Sequence, residues 1–290
     1  MGRLQIIVEK LRPLRAEDKA HYSEDDFVPQ TDKDIDVLWQ AVSSAVQETA
    51  NEHIKHLLQS ILADEELAAG LRAAPASKAM HHAYRGGLLE HVVEMLVLAR
   101  SLQTLYPQID RDLLVAGIIT HDLGLLEGAR YERDIDYSDE GRLMGHVVLG
   151  ERLVAARVAA IKDFPPPLAL RISHMILSHH GESDDVALRP PQTLEAMALY
   201  LLNKLSAEVG HVQQFLEAQW GIDKPWTDFD RLLNRFFLRG LSHEAPAIPE
   251  APPAERTDSA SASYPSGSQA ADFPAISDRP AQQQKPSGAN

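Results

Sequence analysis

From Asp34 to about Arg239, apolar residues recur at intervals of three and four, and this period predicts helices over roughly 34–70, 84–105, 111–122, 141–161, 166–179 and 192–219. The punctuation agrees. Pro107 breaks the chain before Asp110, an expected N-cap; Pro165-Pro166-Pro167 separates two helices; Gly181 follows His179-His180. The segment Trp226 to Leu241 has anchors at Trp226, Phe229, Leu232, Leu233, Phe236 and Phe237, a helical spacing that predicts one more packed helix. Ahead of this body, residues 3–14 alternate Leu4, Ile6 and Val8 with other positions and predict one strand, ended by Arg12-Pro13. A lone strand is not stable by itself, so it either docks on the body or is the remnant of a β domain. Residues 15–33 read as a charged linker. Beyond His243 the chain is rich in Pro, Ala, Ser and Gln and too poor in aliphatic residues to offset its ordering entropy, which predicts a disordered tail. The expected plan is therefore all-α: a strand remnant and linker over 1–33, a helical bundle over 34–242, and a tail over 243–290.

Composition narrows the chemistry. The 290 residues are 44% apolar and 24% charged, ordinary for a globular chain. There are no cysteines, so disulfides and thiolate sites are excluded, and a metal would be held by imidazole nitrogen and carboxylate oxygen. The first residues hold too short an apolar run for a signal peptide, and no stretch reaches the roughly 18 apolar residues of a membrane span, so a cytoplasmic location and no membrane partner are expected. The formal charge of -14 counts against tight unaided binding of nucleic acid. Metal ions can nonetheless neutralise a scissile phosphate in an acidic protein.

The 13 histidines concentrate in or beside apolar helices. Taken singly, each is accounted for by a hydrogen-bonded core or surface residue. Together they suggest a cluster. His121-Asp122 closes the apolar run LLVAGIIT and is followed by Leu123-Gly124, so a nitrogen and a carboxylate leave a helix end where the backbone turns. His91 sits in LLEHVVEMLVLA and His146 in LMGHVVLG, each on an inward face, and His179-His180 ends another helix. Such donors suit Mn, Fe, Co, Ni or Zn more than calcium, and two ions about 3.5 to 4 Å apart suit phosphodiester hydrolysis by a metal-activated water. No G-x-S-x-G, P-loop or H-E-x-x-H pattern competes with that reading.

At these residues the chain resembles the HD phosphohydrolase superfamily, and more specifically YhaM-type 3'-5' exoribonucleases. The similarity rests on PASKAMHHAYRGGLLEHVVEML (75–96), YPQIDRDLLVAGIITHDLG (106–124), EGRLMGHVVLG (140–150) and HMILSHHG (174–181), with a weaker continuation through 189–209. The resemblance implies a metal-dependent nuclease acting on 3' ends of single-stranded RNA, and sometimes DNA, with Mn or a similar ion such as Co, Ni, Fe, Mg or Zn. It implies His91, His121, Asp122, His146, His179 and His180 as metal ligands, with Asp122 and His121 at the catalytic centre. It also implies an oligonucleotide-binding (OB) barrel ahead of the HD domain, of which the opening strand would be the last piece.

The chain departs from the family pattern at three places around the implied site. Asn203 stands at the closing aspartate ligand position, Ser206 at a second aspartate, and Leu125 where a lysine follows HD-x-G. The stretch after the His pair also differs, over Asp184 to Leu188. An amide coordinates a divalent ion more weakly than a carboxylate, so Asn203 predicts a looser ion. Lys78, His82 and Arg189 are candidate phosphate contacts, although His81-His82 with Lys78 also reads as a surface cluster at a helix start. His174 reads as a neighbour of the ligands or a core residue, and Asp134, Asp136 and Asp139 as a solvated or lid-like loop. For the aromatic set from Trp220 to Phe237, core packing outweighs base stacking. Two other functions stay open: hydrolysis of small nucleotides, and a degenerate domain that keeps the fold for binding or scaffolding. Self-association is left open by the sequence.

Overall fold

In the computed structural model, residues 7–10, 12, 13, 15, 18, 28–131, 134–181, 188–219 and 224–239 are described. The chain divides into units 1–243 and 244–290, and the second, with the expected tail, lies outside the described residues. So do most of the linker, Trp220, Asp184, and residues 3–6, 11 and 14 of the expected strand. Residues 7–10 carry neither helix nor strand, and Ile7 and Val8 are exposed.

The body is helical, as the period predicts. α4 (Gly87–Leu105), α5 (Arg111–Thr120), α9 (Pro166–Ser178) and α10 (Leu194–Ala218) fall within a few residues of their expected positions. The expected helix over 34–70 is instead three: α1 (Ile35–Gln47), α2 (Glu52–Leu62) and α3 (Glu65–Ala73). Each restarts on a short polar residue whose side chain accepts from the next turn's N–H groups: Asp34, Asn51 and Asp64. The break before α2 is further held by Asp112, whose carboxylate accepts from the Ala50 and Asn51 amides at 2.9 and 2.7 Å. A kink costs little when the freed donors are satisfied this way.

A short α6 (Leu125–Gly128) leads into the two-residue strands β1 (Ala129–Arg130) and β2 (Asp136–Tyr137), which pair antiparallel with Ala129 opposite Tyr137. α7 (Asp139–Met144) and α8 (His146–Ala160) follow. They divide the expected helix 141–161 at Gly145, whose φ of 75° and ψ of 149° no side chain-bearing residue adopts readily.

α5 is the central element. Every residue from Leu113 to Thr120 is buried, and the helix packs against α2, α4, α9 and α10. Leu113, Leu114, Ile118 and Ile119 are almost wholly withdrawn from solvent. Each such side chain contributes about 1.5–3 kcal/mol by burial. The centre of the protein is thus apolar for most of the length of α5 and becomes polar at its C-terminal end, at His121-Asp122.

Of the expected last helix over 226–241, the described residues 226–239 form no helix. Residues 226–238 make a hairpin-like return with bridges Trp226 to Leu238 and Asp230 to Arg235, turning through Asn234 in the left-handed region at φ 53°. Side chains outcompete the helical ladder here. Asp230 accepts from the Leu233 amide at 2.6 Å and Thr227 Oγ1 from the Phe237 amide at 3.0 Å. The core role expected for these aromatics is also corrected, since Trp226, Phe229 and Phe236 are exposed. Among the described residues no helix is long and apolar enough to cross a membrane.

Candidate metal centre

Two helices end in the same local device. In α5, Thr120 Oγ1 donates back to the Ala116 carbonyl at 2.7 Å, and the ring nitrogen His121 Nδ1 lies 2.9 Å from the Ile118 carbonyl. In α9, Ser178 Oγ donates to the His174 carbonyl at 2.7 Å, and His179 Nδ1 lies 2.7 Å from the Ile176 carbonyl. A carbonyl only accepts, so both Nδ1 atoms carry a proton, and in the neutral ring each Nε2 presents a lone pair. The next residue, Asp122 in one case and His180 in the other, lies beyond the helix and turns toward the same space.

Gly124 closes this corner. Its φ of -66° and ψ of -14° are ordinary helical values, so the glycine is not needed for the turn itself. It is needed for proximity: a Cβ there would lie 1.9 Å from the His146 carbonyl oxygen and 2.5 Å from the Gly150 nitrogen. The bare backbone lets the start of α8, with His146 at its first position, approach Asp122.

The six residues expected from the sequence do converge. Asp122 Oδ1 is 3.2 Å from His179 Nε2 and 3.4 Å from His146 Nε2, and Oδ2 is 3.3 Å from His121 Nε2. His146 Nε2 and His180 Nε2 face each other at 2.9 Å. His91 reaches in from α4, its ring centroid 5.4 Å from that of His121. Two groups of potential ligands result: Asp122 with His146, His179 and His180, and His91 with His121 and Asp122. Within each, one ligand atom per residue lies within 4.8 Å of the others. Asp122 belongs to both.

Electrostatics follow from this packing. Burial works against the Asp122 anion, but His121 and His179 beside it hold its pKa well below the usual carboxylate range. Burial opposes the His121 cation, and Asp122 reverses that, so its pKa is raised. Burial pushes His146 down to about 4, and burial with His179 pushes His180 down to about 2. His91 is held well below its ordinary value by burial, with His121 and His81 adding to it. Most of these rings are neutral lone-pair donors at neutral pH.

His91 Nε2, His121 Nε2, His179 Nε2 and Asp122 Oδ1 are buried and make no hydrogen bond, despite the short separations around Asp122. An unsatisfied buried polar group costs about 1–3 kcal/mol. Several of them aimed into one space fit a cation-binding donor set, and imidazole with carboxylate suits a divalent transition ion.

Sequence reasoning missed the support for His91. Ser206 Oγ donates to Glu94 Oε2 at 3.0 Å and so can only accept from His91 Nδ1, 3.1 Å away. The proton is thereby placed on Nδ1 and the lone pair on Nε2. Ser206, read from the sequence as a lost aspartate, passes the influence of the carboxylate of Glu94 to His91. Hydrogen-bonded support of this kind governs ligand orientation. Asn203 is buried on α10, one turn before Ser206. Leu125 is part of the hydrophobic core.

The three candidate phosphate contacts fare differently. Lys78 is exposed and pairs with Asp136 at 2.8 Å, which with the Tyr137 amide and Arg142 pushes the Asp136 carboxyl down to about 2. Arg189 is exposed. His82 is buried, as is His81, so the surface cluster expected at that helix start is corrected. His174 accepts from the Gln192 amide at 2.9 Å and fastens the segment before α10 to α9.

A model of the HD domain matches residues 88–208, and one described as a putative helicase matches residues 22–109. The chain is 32% identical over 248 residues to the 3'-5' exoribonuclease YhaM of Shouchella clausii, covering 84% of this chain and 75% of that protein. It is 31% identical over 247 residues to the YhaM of Bacillus subtilis, covering 84% and 76%. No solved structure gives a significant match.

Proposed function

The chain belongs to the YhaM family of 3'-5' exoribonucleases, proteins built on an HD domain, and from that premise we propose that His91, His121, Asp122, His146, His179 and His180 hold two divalent ions that act on the 3' end of single-stranded RNA. It is a metal-dependent 3'-5' exonuclease. The observation that carries the assignment of the site is the pair of ligand groups meeting at Asp122, in which His91 Nε2, His121 Nε2, His179 Nε2 and Asp122 Oδ1 are buried without a hydrogen-bond partner. Bound there, the ions would supply Lewis-acid neutralisation of the phosphate and a water of lowered pKa. The protein's own part is orientation: the last-turn carbonyls of α5 and α9 fix His121 and His179, and Glu94 acting through Ser206 fixes His91.

Manganese is the proposed ion and the cytoplasm the proposed location. The domain is proposed to extend over 34–242. Lys78 and Arg189 are proposed to meet the RNA backbone, Lys78 exchanging Asp136 for a phosphate. His82, with its ring buried, serves that role poorly. Apo protein loaded with manganese should shorten 5'-labelled single-stranded RNA stepwise from its 3' end and lose that activity with a chelator. Intact RNA after incubation with protein of confirmed metal content would sink the reading. The net charge of -14 repels a long polyanion more than a mononucleotide, so small nucleotides are a second candidate substrate class and a nucleotide panel belongs in the same assay.

Restoring a carboxylate at the closing position gives a gain-of-function prediction. Asn203→Asp should tighten manganese binding by about 10-fold, the scale on which added ligand charge acts at such sites, and raise the hydrolytic rate. Titration calorimetry on the two apo proteins checks it. Identical affinities would place Asn203 outside the centre.

A further inference from the structure

The row of imidazoles does not stop at His91. His81 and His82 lie in the loop before α4, with ring centroids 4.9 and 5.7 Å from that of His91 and 5.5 Å from each other. One ring nitrogen from each of His81, His82 and His91 lies within 4.8 Å of the other two. All three side chains are more than nine-tenths buried. Both ring nitrogens of His81, Nδ1 of His82 and Nε2 of His91 have no hydrogen-bond partner.

Hydrogen bonds set the tautomers of His82 and His91. His82 Nε2 lies 3.3 Å from Glu94 Oε1, a carboxylate that only accepts, so the ring's lone pair is on Nδ1. The same Glu94, through its other oxygen and Ser206, leaves the lone pair of His91 on Nε2. One carboxylate thus orients two imidazoles. The loop is built, not loose: Ser77 Oγ donates to the His81 carbonyl at 2.7 Å, and the Ala76 amide donates to the His82 carbonyl at 3.1 Å. His211 Nδ1 lies 3.0 Å from the Met80 carbonyl, and His82 is held at a left-handed φ of 47°. Gly87 allows this, since a Cβ there would sit 2.1 Å from the His82 carbonyl oxygen.

Three buried, unsatisfied imidazoles in mutual contact carry an energetic cost that hydrophobic packing alone would remove. We propose that His81, His82 and His91 form an all-imidazole metal site at the end of the row remote from His146 and His180. A neutral three-nitrogen donor set favours Zn, Co or Ni over Mg or Ca. His91 offers one lone pair, so this site and the group of His91, His121 and Asp122 compete for it. The ion held by Asp122, His146, His179 and His180 is independent of that competition.

The test removes the competing groups first. In an Asp122→Asn background, apo protein should still bind a Zn or Co ion beyond any held by His146, His179 and His180, read by elemental analysis after dialysis and by the cobalt absorption spectrum. Adding His81→Phe and His82→Gln should weaken cobalt binding by about 10-fold or more, with the circular dichroism unchanged. If that triple variant unfolds, Asp122→Asn with His81→Gln alone must show the same loss. Absence of that ion in the Asp122→Asn protein, or cobalt affinity unaffected by the histidine substitutions, would overturn the proposal. Neither outcome would touch the nuclease reading, which is judged on the wild-type protein with RNA.

Discussion

Asp122→Asn is expected to lower hydrolysis of single-stranded RNA by about 10³-fold or more, because the carboxylate belongs to both ligand groups and a centre of this kind works chiefly by stabilising charge on the reacting phosphate. The substitution keeps the shape of the side chain and exchanges an anion for a neutral amide. His121, whose raised pKa depends on Asp122, loses its counter-charge, and a bound divalent ion would lose the only carboxylate among the six proposed ligands. The fold should survive, since Asp122 stands at the end of the apolar length of α5 and contributes nothing to the hydrophobic core. Manganese binding followed by electron paramagnetic resonance, beside the RNA assay, distinguishes the outcomes. Tight manganese binding with more than a tenth of the activity left would remove Asp122 from the centre.

Gly124→Ala should have the largest effect on the fold of any single methyl added near the site. The new Cβ would lie 1.9 Å from the His146 carbonyl oxygen and 2.5 Å from the Gly150 nitrogen, both backbone atoms that no rotamer change can relieve. Alanine is compatible with the local dihedral angles, so the whole penalty is steric. Overpacking of this kind costs about 1–3 kcal/mol or more, and a melting temperature lower by about 5–10 °C is expected for a body of this size. Relief must come by α8 moving away from α6, which carries His146 off Asp122. Metal should therefore be lost first from the group holding His146, while His91 and His121 keep their places. A variant with unchanged melting temperature and metal content would show that α8 does not abut Gly124 closely.

The contrast between these residues explains how far the sequence could be read. Periodicity located α4, α5, α9 and α10 because each is long and packed along most of one face. It ran α1, α2 and α3 together because the breaks depend on Asn51 and Asp64 acting as caps, and polar residues at those points also suit an exposed helical face. It misread 226–241 because the aromatics there keep a helical spacing while Asp230, Thr227 and Asn234 satisfy the backbone another way. The convergence of the six proposed ligands was legible through His-Asp and His-His pairs at helix ends. Glu94 and Ser206 were not, being brought together from α4 and α10 across 112 positions, a contact no local pattern encodes. The burial of His81 and His82 was hidden for the same reason: a histidine pair in a loop gives no sign of which helix covers it.

The repeated helix end of α5 and α9 has a consequence for how the enzyme lives with scarce metal. His121 and His179 are each fastened to a carbonyl of their own last turn, so their aim is settled when those helices form, and a large apolar core holds the helices together. A metal ion would then meet a finished socket and would not be required to create one, unlike the small domains that collapse only around zinc. Stripping the ion should leave a folded, idle protein that resumes work on resupply. Activity would thereby follow the ambient level of free metal, while the amount of protein stayed constant.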